Sequence, residues 1–299
     1  MKRCCFLWMI YGGLALSTGL FADRAPAQET KVDALAAAAP AAKKTPPDPY
    51  PWLNKYPMSF FTKTRTAKLV GKGHLSLCLK FQTFDYDERR VSGQYQGFAP
   101  DESFRRFCNT FVAKYGWAKD HHIVVGVPYM WSDYHIGGRH METNHVGNVF
   151  LFEKWNPIKE TLTCPAVSFD TWVYLPTGNS TEKCGCDDTS VKFTTEISKA
   201  WPEFSLHFNP GYTINCGMGP DCLEINAALL FQHWKKFWPG VEYNYLYRVD
   251  TDECHDIVPG VIWKYTKGAS FKIGAVLNAS STASFRDDVG MVMKVFYRF

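Results

Sequence analysis

The segment Leu75-Ser76-Leu77-Cys78-Leu79-Lys80-Phe81 decides the fold. Leu75, Leu77, Leu79 and Phe81 are apolar, while His74, Ser76, Lys80 and Gln82 lie between them. A period of two puts the two sets on opposite faces of a strand. The same parity runs through Phe204, Leu206, Phe208, Tyr212 and Ile214 against Ser205, His207, Asn209, Thr213 and Asn215. Val241, Tyr243, Tyr245, Tyr247 and Val249 alternate with Glu242, Asn244, Arg248 and Asp250, and Phe271, Ile273, Ala275 and Leu277 with Lys272 and Asn278.

Working outward, segments of this kind predict strands near 73–86, 104–115, 119–132, 145–154, 162–175, 190–200, 203–215, 222–233, 240–250, 254–266, 269–279 and 285–299. An even number of strands closes an antiparallel barrel without an exposed edge and leaves both termini at one end. The tight connections 116–118, 200–202 and 267–268 then face the periplasm. The longer ones, 87–103, 133–144, 176–189 and 216–221, face outward.

A soluble β-sandwich would alternate as well. Export and the placement of aromatics favour a membrane barrel. Lys2 and Arg3 precede an apolar stretch from Cys4 to Phe21, and Ala25-Pro26-Ala27 supplies small residues for cleavage, so residues 1–27 read as a signal peptide. Trp201, Phe204, Tyr212, Trp234, Trp238, Trp263 and Tyr265 stand near strand ends, where an interfacial girdle would place them. Val289, Met291, Met293, Val295, Tyr297 and Phe299 form one apolar face opposite Lys294 and Arg298. A last strand ending in Phe is similar to the sorting signal read by the barrel assembly machinery. No later segment has the roughly 18 to 20 unbroken apolar residues of a spanning helix.

Residues 28–72 differ in character. Ala34 to Ala42 is nearly all alanine, and Pro46, Pro47, Pro49 and Pro51 follow, so the segment reads as a disordered Pro/Ala-rich periplasmic arm. The competing reading is a plug or partner-binding segment built around Trp52, Tyr56, Phe60 and Phe61. Residues 73–299 form the barrel.

Leu175-Pro176-Thr177-Gly178, at a strand end before a polar loop, resembles an element of the MetA-pathway phenol-degradation transporter family. The order downstream is similar in kind: a hairpin over Glu196 to Asn215, Val241 to Asp250, Pro259 to Lys264, Lys272 to Leu277, and the terminal Val295-Phe296-Tyr297-Arg298-Phe299. The resemblance covers about 160–299. It implies an outer-membrane β-barrel that passes small, often aromatic or apolar compounds, with no defined catalytic set. Ten cysteines, the Pro-rich arm and the Trp- and His-rich region 117–145 depart from that pattern.

The expected lumen-lining residues include Lys80, Arg106, Asp170, Glu196, His207, Glu224, Glu242, Arg248, Lys264, Lys272, Lys294 and Arg298, with His74, Lys114 and Lys192 beside them. Basic residues outnumber acidic ones in this set, which points to anionic organic cargo. Mutually neutralising pairs that merely hold the barrel's shape are the competing reading. With Cys4 and Cys5 in the leader, an even number of cysteines remains in an exported chain, which favours disulfides. Cys216 and Cys222 bracket one loop and form the best candidate bridge; Cys184 or Cys186 to Cys254 is a second. A metal site at that rim is disfavoured because export oxidises thiols.

The expected protein is therefore an all-β, single-barrel, outer-membrane channel for small aromatic or anionic organic molecules. It has no cofactor and no metal, and its partners are solutes, outer-membrane lipid and, during biogenesis, the assembly machinery. A formal net charge of +4 is too small a footprint for nucleic acid. Neither Gly-x-Ser-x-Gly nor His-Glu-x-x-His occurs, so an enzyme is not expected. A structural or adhesion barrel is the main alternative and a barrel enzyme the lesser one.

Overall fold

Alternating side chains along a strand can bury one face and wet the other only if the sheet curls shut, and this one does. The computed structural model describes residues 50–53, 55–179, 187–217, 219–266 and 268–299, all within the compact unit Asp48–Phe299. The strands are β1 (Leu75–Val91), β2 (Gln94–Gly97), β3 (Ser103–Ala118), β4 (His121–Ile136), β5 (Arg139–Val146), β6 (Phe150–Ile158) and β7 (Ala166–Tyr174). They continue as β8 (Ser190–Ala200), β9 (Phe204–Asn215), β10 (Cys222–Phe231), β11 (Phe237–Arg248), β12 (Asp252–Lys264), β13 (Ala269–Ser281) and β14 (Phe285–Arg298).

Twelve of these form the wall, each antiparallel to its neighbours, in the order β1, β3, β4, β6 and then β7 to β14. The barrel closes where β1 pairs β14, from Ser76 opposite Arg298 to Arg89 opposite Phe285. The two remaining strands extend the wall beyond one end. β2 pairs only β1, and β5 pairs only β4. Regions expected as outward loops thus carry hairpins. Their tips, Ser92-Gly93 and Gly137-Gly138, have positive φ at both positions, the backbone that a two-residue turn needs to match strand twist.

The expected faces hold along the wall. Leu79, Phe111, Leu206, Phe208, Val241, Ile273 and Val295 are exposed, and Ser76, Lys114, Asn209, Glu242 and Lys272 are buried inside. Trp238 corrects the girdle: it is buried, and its neighbour Phe237 lies outside instead, stacked on Trp263 at 5.9 Å. The resembling Leu175-Pro176-Thr177-Gly178 element stitches the wall. Thr177 Oγ1 accepts from the Val149 amide at 2.8 Å and donates to the Gly147 carbonyl at 3.0 Å, joining the end of β7 to the lead-in of β6.

The apolar core is inside the barrel, not between sheets. Phe60 and Phe61 pack there with Leu230, Trp238, Val258, Ile262, Val276 and Val292. The first two belong to the N-terminal arm. Reading all of 28–72 as a periplasmic linker is therefore corrected for its last part: Tyr56, Phe60, Phe61, Thr64, Thr66 and Val70 are almost completely buried. Residues 1–49, including the signal-peptide segment, lie outside the described residues.

Candidate functional site: the occupied lumen

After its last proline, Pro57, the arm folds back on itself. The Thr66 amide donates to the Met58 carbonyl at 3.3 Å, the Phe60 amide donates to the Thr64 carbonyl at 2.8 Å, and Ser59 bridges to Arg65. This small hairpin lies across the lumen. Its tip wraps the carboxylate of Glu242, which accepts from the amides of Phe61, Thr62, Lys63 and Thr64 at 2.5–2.9 Å and from the Thr62 hydroxyl at 2.7 Å. Successive amides converging on one anion make a backbone nest. Phe61 is seated beside it, its ring against Gly260 and Gly274, where a Cβ would come within 2.7 and 3.2 Å of the ring.

The opposite polarity of the hairpin meets lysines. Lys294 donates to the Phe60 carbonyl at 2.9 Å, Lys80 donates to the Thr62 carbonyl at 3.4 Å, and Lys272 donates to the Ser59 carbonyl. These lysines come from the neighbouring strands β13, β14 and β1. The acids Asp170, Glu196, Glu224 and Glu242 come from β7, β8, β10 and β11. The tip of the arm therefore turns its amides to Glu242 and its carbonyls to Lys80, Lys272 and Lys294.

Arg65 makes the third attachment. Its Nε lies 3.0 Å from Glu196 and 3.3 Å from Asp170, and the guanidinium sits 4.0 Å over the Trp172 ring. Burial acts to discharge Arg65, but Asp170 and Glu196 outweigh it and raise its pKa. Lys154 joins the cluster through Glu196 and donates to the Thr66 carbonyl at 2.9 Å. His207 is held by Ser198 and Ser205 at 2.8 and 2.9 Å and packs against Tyr56 and Phe60 of the arm.

Of the twelve expected lumen residues, Lys80, Asp170, Glu196, His207, Glu242, Lys272 and Lys294 thus meet on the arm. Glu224 pairs with Lys192 at 2.6 Å. Lys264 lies 3.2 Å over the Trp238 ring. Arg248 pairs with Asp252 at 2.6 Å near the loop end, and Arg106 donates to the Ser132 hydroxyl at 3.3 Å, so neither touches the arm. Arg298 lines the mouth at the end that carries the strand termini. Arg65, Thr62 and Lys154 escaped the sequence reading. The available signal was the proline-free run 58–70, which follows an otherwise proline-rich arm and holds two adjacent phenylalanines.

Two cavities flank the arm. One of about 290 Å³ lies toward the loop end, with Lys63, Arg65, Lys80, Lys114, Lys192 and Lys294 arranged around Phe150, Phe152, Trp172 and Tyr174; Glu224 is the acid in its lining. The other, of about 570 Å³, opens at the terminal end. Cys216 and Cys222, the candidate disulfide, stand at the two sides of their loop without a bond between them in this structure. Cys222 stands opposite Thr213, and the turn is closed by Asp221, which accepts from the Asn215 amide at 2.9 Å. Cys184 and Cys186 lie outside the described residues.

No family model matches the sequence, and no curated protein matches it. Among solved structures, the COG4313 outer membrane channel from Pseudomonas putida F1 superposes with a TM-score of 0.69 at 8% identity, over 78% of this chain and 98% of that one. A KdgM porin gives 0.47 at 9% identity, over 75% and 99%. The CymD monoaromatic hydrocarbon channel gives 0.41 at 8%, over 77% and 88%. The first likeness shows the fold; the other two are too distant to add to it. Fold and site together define a class: a closed twelve-stranded barrel of the outer-membrane type whose lumen is filled by its own arm.

Proposed function

We propose that this protein is an outer-membrane channel for small organic anions, aromatic ones among them, and that residues 56–72 keep it closed. The cavity toward the loop end carries this reading. Six cationic side chains and one carboxylate surround a floor of four aromatic rings, which suits a carboxylate joined to a flat apolar body. The resemblance to the MetA-pathway phenol-degradation family supports the small, aromatic part of this cargo class; the anionic part rests on the cationic lining. The leader and the terminal strand ending in Phe299 support delivery by a signal peptide and the barrel assembly machinery.

The test is conductance of the full chain in a planar bilayer, with and without Glu242→Ala. The full chain is expected to stay mostly closed, while the variant conducts in discrete, anion-selective steps that benzoate blocks. Silence from both proteins, with the arm of the variant shown by proteolysis to be released, would favour the structural-barrel alternative.

A further inference from the structure

The cavity at the terminal end differs from the first in kind. It lies between the arm, which contributes Tyr56, Met58 and Lys68, and the wall beside the β10–β11 and β12–β13 turns. Six cationic residues line it: Lys68, Lys235, Lys236, Lys264, Lys272 and Arg298. Among the described residues, no aspartate or glutamate does. Among the described residues, no ion pair engages Lys235, Lys236, Lys264, Lys272 or Arg298. Lys264 instead rests on Trp238, and Lys272 donates to the Ser59 carbonyl. A set of like charges converging on one space repels itself, and an anion placed among them relieves that repulsion.

We infer that this cavity is a binding site for a compact anion with two or more negative charges, of the phosphate or polycarboxylate type, distinct from the cargo cavity. A single carboxylate can meet only one or two of Lys235, Lys236, Lys264, Lys272 and Arg298, whereas a multiply charged oxyanion can bridge several of them at once. The ligand is soluble, not a lipid headgroup, because Lys264, Lys272 and Arg298 stand on the inner face of the wall and the sheet separates them from lipid. Bound there, the anion ties Lys68 of the arm to Lys264 and Arg298 of the wall. The arm then has a second fastening at the terminal end, beside the one at Glu242. Burial, with Arg298 nearby, holds Lys68 at a pKa of about 8, so that repulsion between arm and wall is relieved by an anion placed between them.

The experiment is isothermal titration of the full chain, in phospholipid-free detergent and phosphate-free buffer, with inorganic pyrophosphate and separately with benzoate. It reads binding and does not depend on whether the barrel conducts. One pyrophosphate is expected per chain, with at least tenfold weaker binding in Lys264→Gln and in the double variant Lys235→Gln/Lys236→Gln, each checked for heat-modifiable migration as a folded barrel. Benzoate is expected to leave that affinity unchanged when present in excess. Absence of saturable pyrophosphate binding overturns the inference. So does unchanged affinity in both variants, or a loss seen with Lys192→Gln in place of Lys264→Gln, which would move the site to the other cavity.

Discussion

Glu242 and Thr62, separated by 180 residues of chain, are joined twice, through the Thr62 amide at 2.8 Å and its hydroxyl at 2.7 Å. With the amides of Phe61, Lys63 and Thr64 also on this carboxylate, one wall residue holds the whole tip of the arm. Hydrogen bonds to a buried charge contribute roughly 1.5–3 kcal/mol each. Glu242→Gln, which replaces one acceptor oxygen by a donor facing those amides, is expected to release the tip. Trypsin should then cleave after Lys63 or Arg65 at least tenfold faster than in the parent; an unchanged rate would remove Glu242 as the latch.

Arg65 is the counter-ion of two buried acids. Removing one partner of a buried ionic cluster costs about 3–5 kcal/mol, because the remaining charges are left uncompensated. Arg65→Met is therefore expected to undock the arm, and Glu196→Gln added to it should restore part of the loss. A double-mutant cycle on arm protection against proteolysis measures the coupling, and additive effects would show that the pair is independent.

Phe61 fits because Gly260 and Gly274 leave room for its ring. Truncating a buried phenylalanine costs about 3–5 kcal/mol, so Phe61→Ala should loosen the arm. Gly274→Val should loosen it from the other side of the same contact. In the Phe61→Ala background, Gly274→Val should cost less than it does alone. Equal cost in both backgrounds, read by thermal melting and arm proteolysis, would place the damage in the sheet instead.

The docked arm holds Lys68 at about 8, below its ordinary 10.5, through burial and the nearby Arg298. Between those two values the released arm keeps a proton that the docked arm has lost, so docking strengthens as pH rises through this window and is flat below it. Lys235, Lys236, Lys264, Lys272 and Arg298 line the same cavity and face Lys68 across it. The readout is therefore the difference between the parent and Lys68→Met in arm proteolysis at pH 7.5 and 9.5. The variant should lose part of the protection gained at high pH, and identical slopes would exclude Lys68 as a contributor.

Period-two alternation in β1, β9, β11, β13 and β14 made the barrel legible, because every residue of a strand reports directly which face it occupies. The parity of Leu75 against Ser76 and of Val241 against Glu242 survives unchanged in the structure. The connections were less legible: Asp87–Ser103 and Asp133–Asn144 contain paired hairpins, since a polar hairpin outside the wall has no buried face to leave a pattern. Trp238 was placed on the wrong side of the wall because its type fits a girdle and a core equally well.

By itself the sequence determined that a twelve-stranded barrel forms and which side chains turn inward, a local property of alternation. Only the tertiary structure decided what the inward residues meet. Glu242, Lys294 and Glu196 read as lumen charges that water or each other could satisfy. Their partners at Phe61, Phe60 and Arg65 lie 181, 234 and 131 residues away in an arm with no periodicity of its own. Backbone amides and carbonyls, which every residue carries, make most of those contacts, so no side-chain pattern announces them.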